Sequence, residues 1–311
     1  MLFCMKKLLI ALVLTSPLWA LEEEDLVWDA QIPSVTDYNA ALQEAVAAQD
    51  WWSVIDYADT IAYHYPDSPF GQDAAYQCAE AYFKMGQYEL ANQCLTNYLN
   101  QPAPKHFEEA IEYKFTIAEL FRNGTKLRLF ESHKMPQLLP AEEEAVKLYD
   151  EVITTLPHHE MAASSLMGKA KIQVFMEDFR PSVETFQLLI RRFPKHELAA
   201  QAYLEINRSY LLQSQIEHLD LDLLDLAEMN MKKFHVAFPR EERLEEAEKL
   251  LSDMRELYAA NLLDTGRYYE KIKKTPASII YYTKVVAKYP TTMAAKNARE
   301  KLEHLQADGH L

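Results

Sequence analysis

The chain has 311 residues, of which 49% are hydrophobic and 25% are charged, and its formal net charge is −15. So acidic a surface repels phosphate backbones, which disfavours nucleic-acid binding and leaves solubility or a basic partner as its role. Only 6 residues are glycine, too few for the phosphate-binding loops of nucleotide enzymes. Apolar residues recur at three- and four-residue spacing and alternating strand patterns are missing, so an all-α fold is predicted.

The first twenty residues have the three parts of a secretory signal peptide. Lys6 and Lys7 form a charged start, residues 8–14 form an apolar run too short to span a bilayer, and Ala20 is a small residue suited to cleavage. A short membrane-anchoring helix is the alternative interpretation. We therefore expect residues 1–20 to be removed on export to a bacterial periplasm.

We expect no lipid anchor at the start of the mature chain. A lipoprotein signal places cysteine directly after the cleavage point, whereas Leu21 stands there and Cys4 precedes the apolar run. Residues 21–33, LEEEDLVWDAQIP, form an acidic extension ahead of the first predicted helix. The sequence as it stands therefore argues against N-terminal lipidation.

From residue 34 onward, the helical spacing predicts six helix pairs and a last helix that caps them. The pairs are 34–66, 68–102, 105–157, 159–194, 196–239 and 241–290, and the last helix is 292–306. A large apolar residue followed by proline ends five pairs, because proline lacks an N–H and clashes with the preceding turn. These stops are Tyr65-Pro66, Leu156-Pro157, Phe193-Pro194, Phe238-Pro239 and Tyr289-Pro290.

The second pair contains the clearest repeated spacing. In AAYQCAEAYFKMGQYELANQCL, Ala79 is followed three residues later by Tyr82, and Ala91 is followed four residues later by Leu95. Small residues let two helices approach closely, and large residues fill the groove beside them. This spacing resembles the tetratricopeptide repeat, a helix–turn–helix unit of about 34 residues.

The later pairs repeat this spacing. Small residues of the first helices are Ala118, Ala170 and Gly266, and those of the second helices are Ala145, Ser182, Ala227 and Ser278. Large residues follow the second set by four positions, at Tyr149, Phe186, Met231 and Tyr282, while Tyr269 and Pro290 complete the last unit. In the first pair the pattern weakens to Val54 and Ala58.

One such unit cannot bury its apolar face alone, so neighbouring units must stack. We therefore predict an all-α, tetratricopeptide-like α-solenoid of five to six helix pairs over residues 34–306. It ends in a C-terminal capping helix and a tail at 307–311. Residues 123–140 and the extra helix length near 219–238 exceed the unit and are expected as insertions on one face.

Two cysteines remain in the mature chain, Cys78 and Cys94, and both fall in one predicted helical hairpin. An even cysteine count in an oxidising compartment permits a disulfide. Two separately buried thiols are the alternative. Their spacing on two antiparallel helices allows either arrangement.

Signals of catalysis are weak, so we expect no enzymatic activity, no cofactor and no metal. Phosphate-binding glycine loops, nucleophile elbows and the HExxH motif are absent from the sequence. His158, His159 and Glu160 are consecutive, so their side chains point in different directions on a helix. Asp220 and Asp222 lack the glycine of a calcium loop. Both groups are interpreted as helix starts.

Two stretches carry a closer resemblance. Residues 64–99, HYPDSPFGQDAAYQCAEAYFKMGQYELANQCLTNYL, are similar to the first strong repeat of the BamD family. That family is the tetratricopeptide component of the outer-membrane β-barrel assembly machinery. Residues 257–305 are similar to the family's C-terminal end, with a Tyr-Tyr pair, a small-residue helix, Tyr-Pro-x-Thr and a closing helix. The resemblance extends over residues 35–306, loosely in the middle.

The resemblance implies a scaffold that sits at the periplasmic face of the outer membrane and acts by binding. Its C-terminal part would contact the periplasmic domains of the barrel-forming subunit, and its N-terminal groove would receive unfolded outer-membrane proteins. The chain departs from the family in its missing anchor cysteine, its acidic start and its insertions. The alternative is another exported tetratricopeptide interaction protein, similar to cell-division coordinators or secretion chaperones.

One turn of the first helix in the clearest repeat is the predicted client and partner groove. It would present Tyr76, Glu80 and Phe83 on the face away from Ala79 and Tyr82. These side chains would contact an extended client segment by stacking and backbone hydrogen bonds. Ordinary solvated positions are the alternative interpretation.

Overall fold

The computed structural model describes residues 34–66, 68–128, 136–217 and 220–307. The predicted signal peptide, the acidic extension and the last four residues lie outside this part of the chain. Within it the chain forms thirteen helices and two short strands. The helices are α1 (Val35–Ala48), α2 (Trp51–His64), α3 (Pro69–Lys84), α4 (Tyr88–Leu99), α5 (Phe107–Arg122), α6 (Glu142–Thr155), α7 (Glu160–Phe175), α8 (Phe179–Arg192), α9 (Glu197–Ile216), α10 (Leu221–Ala237), α11 (Arg243–Lys271), α12 (Thr275–Lys288) and α13 (Met293–Ala307), and the strands are β1 (Leu127–Arg128) and β2 (Gln137–Leu139).

Consecutive helices contact one another along the whole described chain, from α1 to α13. The first helices of neighbouring pairs also touch, since α5 contacts α7, α7 contacts α9 and α9 contacts α11. Six helix pairs therefore stack in sequence, with α13 against α12 and α11 at the end. This confirms the predicted fold class, an all-α solenoid of helix pairs with a capping helix. None of the described helices is long and apolar enough to cross a membrane.

Proline stops act at the ends of α2, α6, α8, α10 and α12. In each case the large residue before proline donates its backbone N–H to the carbonyl four residues back, closing the last turn. The φ of that residue lies between −125° and −136° and its ψ between 52° and 70°, so it is outside the helical region, which a following proline disfavours. The chain therefore leaves these five second helices in nearly the same backbone conformation, whereas α4 ends in a helical conformation at Asn100.

The helix starts use polar caps, including two groups that the sequence analysis examined for metal binding. The Nδ1 atom of His159 accepts the N–H of Met161 at 3.2 Å, so this histidine caps α7. The Asp220 carboxylate accepts the N–H of Asp222 at 3.0 Å and caps α10. A capping side chain satisfies an N–H that the helix cannot pair internally. Among the described residues there is no group of three side chains suited to a metal ion.

Two tyrosines on second helices fit against glycines with no room for a side chain. A Cβ on Gly266 would lie 2.6 Å from the Cε1 atom of Tyr282, and one on Gly168 would lie 2.6 Å from the Tyr149 ring. The hydroxyl of Tyr282 donates to Glu270 at 2.6 Å, and that of Tyr149 donates to the Glu119 carboxylate. The glycine, the buried ring and the carboxylate together fix how adjacent helices pack.

The apolar interior consists of two clusters, which we call the N-terminal core and the main core. The N-terminal core is built by α1, α2 and α3 around Leu42, Val54 and Ile61. The main core extends from α3 and α4 to α13. Tyr82 and Cys94 pack against both clusters. The α3–α4 hairpin is therefore the joint between the two cores.

The insertion after α5 corrects the expectation of a strand-free chain. Its ends pair as an antiparallel two-stranded hairpin, with Leu127 opposite Leu139 and an irregularity beside Arg128. The backbone N–H of Arg128 donates to the Glu89 carboxylate at 2.5 Å, which ties the hairpin to α4. Strands of two and three residues are too short to show an alternating pattern, so the sequence gives no sign of them. The second insertion lengthens α9 and α10 instead.

Candidate partner-binding groove

Facing side chains of α3 and α5 enclose an open pocket of about 300 Å³. We call it the aromatic groove; its lining residues are Tyr76, Phe83, Glu109, Glu112, Tyr113 and Thr116. The three rings are half-buried, while the two glutamates are exposed. The floor is thus apolar and aromatic, and the rim is acidic.

The rings of the groove brace one another. Phe83 and Tyr113 meet edge to face with centroids 4.8 Å apart, and Tyr76 lies 6.3 Å from Tyr113. Tyr76 also stacks on the His106 ring at 4.5 Å and tilts against the buried Tyr98 at 5.4 Å. Such offset and edge-to-face pairs hold ring orientation beyond what area burial provides. The groove therefore presents preformed aromatic surfaces and does not have to assemble them on binding.

Carboxylates surround the two phenols. The hydroxyl of Tyr113 donates to the Glu80 carboxylate at 3.2 Å. Burial, with the charges of Glu80 and Glu109, raises the pKa of Tyr76 to about 12. Burial, followed by the charge of Glu80 and the hydrogen bond to it, raises the pKa of Tyr113. Both phenols therefore stay neutral donors at physiological pH. The carboxylates give the pocket a negative potential, which favours a cationic ligand group over the aromatic faces.

A buried lysine sets the rotation of α5. Lys114 is 2% exposed, and its ammonium bonds to Asn92 at 2.8 Å, to Thr96 at 2.6 Å and to Glu151 at 2.6 Å. A buried ammonium is tolerated only when such partners satisfy it. Because Lys114 is held toward α4 and α6, its neighbour Tyr113 is held toward α3 and the groove.

The predicted groove residues lie together where the sequence placed them. Tyr76 and Phe83 line the pocket and Glu80 bonds to Tyr113 at its edge, whereas Ala79 is buried behind them. Sequence reasoning missed the α5 contribution. Its signal is the run Glu109, Glu112, Tyr113 and Thr116, whose three- and four-residue spacing puts the four side chains on one helix face.

The residues predicted to pack repeats occupy three kinds of environment. Eight are buried between helices: Ala79, Ala91, Leu95, Ser182, Phe186, Gly266, Ser278 and Tyr282. Tyr82 and Tyr269 are half-buried, and Tyr269 stacks on Tyr281 at 5.3 Å. Pro290 is exposed just beyond α12, and its carbonyl accepts a bond from Arg299 at 2.7 Å. In α7 the close contact with the Tyr149 ring is made by Gly168, two residues before the predicted Ala170.

A model of the tetratricopeptide repeat matches residues 73–105 and 260–292. These two segments cover α3–α4 and the end of α11 with α12, where the stacked helix pairs show small residues against large ones. The chain contains tetratricopeptide repeats. Repeats of this kind form scaffolds for protein–protein interaction, so a protein or peptide is the ligand class that the groove fits.

Searches among other proteins give weaker relationships. No curated protein matches the chain. Among solved structures, a MamA fragment from Desulfovibrio magneticus RS-1 has a TM-score of 0.35 and 13% identity, and covers 67% of this chain and 97% of its own. YrrB, described as a TPR protein with an unusual peptide-binding site, has a TM-score of 0.36 and 11% identity, and covers 70% of this chain and 92% of its own. Superpositions this loose carry no argument about function.

A second pocket lies among α8, α9 and α10 of the fourth and fifth repeats. It measures about 220 Å³, and its floor includes the buried Tyr203 and Tyr210. Arg191 and Lys233 stand at its rim, beside Leu226 and Met229, which are 41% and 51% exposed. Its charged lining residues are basic, whereas those of the aromatic groove are acidic.

Cys78 on α3 and Cys94 on α4 also meet in the described part of the chain. The Sγ atoms of Cys78 and Cys94 are 3.9 Å apart, and both are free thiols in this structure. Cys78 is buried, while Cys94 is half-buried. The structure thus brings together two residues whose relationship the sequence left open.

Proposed function

We propose that this protein is an exported repeat scaffold that binds partner proteins and unfolded clients during outer-membrane β-barrel assembly, as the BamD family does. The aromatic groove is the observation that carries the proposal, because it is a preformed binding surface in the repeat with the closest family resemblance. The secretory-type leader and the BamD-like end at residues 257–305 add support. The mechanism is binding without chemistry.

In this proposal an extended client segment lies along α3 and α5. Its aromatic side chains stack on Tyr76 and Phe83, and a lysine or arginine sits over the Tyr113 ring beside the acidic rim. A cation over an aromatic face contributes about 0.5–2 kcal/mol, depending on how far it is desolvated. Short aromatic and basic segments are thereby preferred to acidic ones.

Affinity purification from envelope extracts tests the partner. We expect the full chain to enrich the barrel-forming subunit of the assembly machinery. Recovery of divisome or peptidoglycan-associated proteins, or of secretion substrates, without that subunit would overturn the proposal and favour the alternative exported scaffolds. Variants of the groove should lose clients and keep the barrel-forming subunit, since the resemblance assigns that subunit to the C-terminal part.

The proposed location has its own measurement. The mass of the mature N-terminus should correspond to a start at Leu21 without lipid, and the protein should stay in the aqueous phase on detergent partitioning. Association with outer-membrane fractions should then disappear when the barrel-forming subunit is depleted. A lipid-modified mass or an intact leader would contradict the proposed route.

A further inference from the structure

The joint between the two cores contains the dithiol pair. Cys78, on α3, belongs to the N-terminal core, and Cys94, on α4, packs against both cores. Their Sγ atoms lie 3.9 Å apart, so a modest rotation of the two side chains brings the sulfurs to bonding distance. The Oδ1 atom of Asp59, on α2, lies 4.0 Å from the Cys78 Sγ atom.

We propose that Cys78 and Cys94 form an intramolecular disulfide that fastens α3 to α4 beneath the aromatic groove. The oxidant is an external disulfide, either of a thiol oxidoreductase or of a small thiol such as glutathione. The inference relies on the proposed export only for a compartment that supplies this oxidant. Closure itself depends on the geometry of the pair.

The chemistry assigns different parts to the two thiols. The hydrogen bond from Cys78 lowers the pKa of Cys94, and the same bond, with burial, raises the pKa of Cys78. Cys94 is also the more exposed of the two. It is therefore the thiol that reacts first with an external disulfide, since the thiolate is the attacking form.

Two exchange steps complete the bond. The Cys94 thiolate attacks one sulfur of the external disulfide, which forms a mixed disulfide and releases one external thiolate. Cys78 loses its proton to solvent and attacks the Cys94 Sγ atom, which forms the internal disulfide and releases the second external thiolate. The pair loses two protons and two electrons, and the external disulfide is reduced to two thiols.

The bond would act on the groove through α3. Cys78 lies one turn or less from Tyr76 and Glu80, on the opposite side of the same helix. A covalent link to α4 limits how far α3 can move away from the main core, so it restrains the wall of the groove that α3 forms. We therefore expect the oxidised protein to melt at a higher temperature than the reduced protein.

Thiol counting on the purified full chain tests closure. Because Cys4 precedes the pair, the experiment uses a Cys4→Ser background. The reduced protein is incubated with oxidised glutathione, blocked with iodoacetamide and weighed without reduction. We expect a mass lower by two hydrogens, with neither glutathione nor a blocking group attached, and a peptide map that joins Cys78 to Cys94. Two blocking groups, or two glutathiones, on each chain would overturn the proposal.

Single variants test the order of reaction. Cys78→Ser should trap glutathione on Cys94 rapidly, while Cys94→Ser should leave the buried Cys78 largely unmodified over the same time. Equal rates would overturn the assigned order. The rise in Tm on oxidation should vanish in the Cys78→Ser/Cys94→Ser double variant, whereas a rise that persists would rule out the bond as its cause.

The redox state of the pair in the cell, measured by blocking free thiols after acid quenching, distinguishes failure of this inference from failure of the proposed export. A closed pair in the cell supports both. A pair that closes with glutathione but stays reduced in the cell would overturn the bond in its native compartment and contradict export. Failure to close in purified protein would reject the disulfide and leave the proposed function untouched.

Discussion

Two places where first helices of neighbouring repeats meet differ in packing and in chemistry. The α9 and α11 helices pack directly against each other, whereas α3 and α5 meet through side chains around an open pocket. Between α9 and α11, Arg208 bonds to Glu246 at 2.6 Å and to Glu205 at 3.0 Å, and Arg243 bonds to Glu197 at 2.8 Å. Each cation there is neutralised within the chain. Because its charges are paired within the chain, the contact between α9 and α11 offers little to an external partner.

The contact between α3 and α5 is left open instead. Its acidic rim includes Glu112, which has no ion-pair partner among the described residues, and Glu109, which reaches only His106, at 3.9 Å. Its rings remain half-exposed in a pocket. The comparison indicates that the repeat scaffold sets where first helices meet, and that unneutralised charge and exposed aromatic surface distinguish the proposed binding site from the contact between α9 and α11.

The largest expected effect is a loss of stability at the contact between α11 and α12. Gly266→Ala places a methyl against the buried Tyr282 ring, which cannot retreat because its hydroxyl is bonded to Glu270. Overpacking costs up to about 3 kcal/mol, and the helix preference for alanine returns about 1 kcal/mol. We expect a net loss of about 2 kcal/mol in urea unfolding monitored by circular dichroism.

Peptide binding by the same variant tests whether the contact between α11 and α12 affects the aromatic groove. A peptide that binds the wild-type groove should bind Gly266→Ala equally well below its melting temperature. Replacing Tyr282 with leucine in the alanine background should recover part of the lost stability, because the smaller side chain makes room for the methyl. A variant as stable as wild type would contradict the close contact.

The second-largest expected effect is on peptide binding at the aromatic groove. Tyr113→Ala removes the ring that joins α5 to Phe83 and Tyr76, and we expect about tenfold weaker binding of an arginine-containing aromatic peptide, or about 1.4 kcal/mol. Fluorescence anisotropy with a labelled peptide measures this. Tyr113→Phe keeps the ring and loses only the bond to Glu80, so it should stay near wild-type affinity. Equal losses in both variants would point to the hydroxyl and against the ring.

A smaller effect follows from reversing the charge of the groove's rim. Glu112→Lys should weaken the same peptide by about threefold at low salt and by less at high salt, because exposed charges are screened. Glu245→Lys, on an exposed position of α11, makes the same net-charge change far from the groove and is the matched control. If both variants weaken the peptide equally, the long-range charge of the protein is responsible and the groove is not.

Much of the fold was predictable because its signals are local. Proline stops, small-to-large spacing and helical periodicity each act within a few turns, and they locate six pairs and a cap. The pairing of β1 with β2 was missed because these strands are shorter than one alternating pattern. Gly168 was missed because its partner, Tyr149, belongs to the preceding pair, and that pairing is tertiary.

Only the α3 side of the aromatic groove was predictable, because its signal lies within one helix and the α5 side depends on tertiary packing. Tyr76, Glu80 and Phe83 share one face of one helix, which the sequence specifies. Tyr113 reaches them only because the buried Lys114 fixes the rotation of α5, and a lone lysine in an amphipathic helix is ordinarily interpreted as solvated. The distance between Cys78 and Cys94 likewise depends on how α3 and α4 pack.

The smallest expected effect is on stability at the contact between α9 and α11. Arg208→Ala removes one exposed cation from a small network, and exposed pairs contribute little because solvent screens them and ordering the side chains costs entropy. We expect a loss of about 0.5 kcal/mol in urea unfolding and unchanged peptide affinity, with Arg180→Ala, whose pair with Glu184 lies within one helix, as control. A loss of several kcal/mol would mean that these ion pairs hold α9 to α11, and packing would no longer suffice to explain that contact. A changed peptide affinity would mean that this contact and the groove are coupled through the stack, since Arg208 is on α9 and the groove is built by α3 and α5.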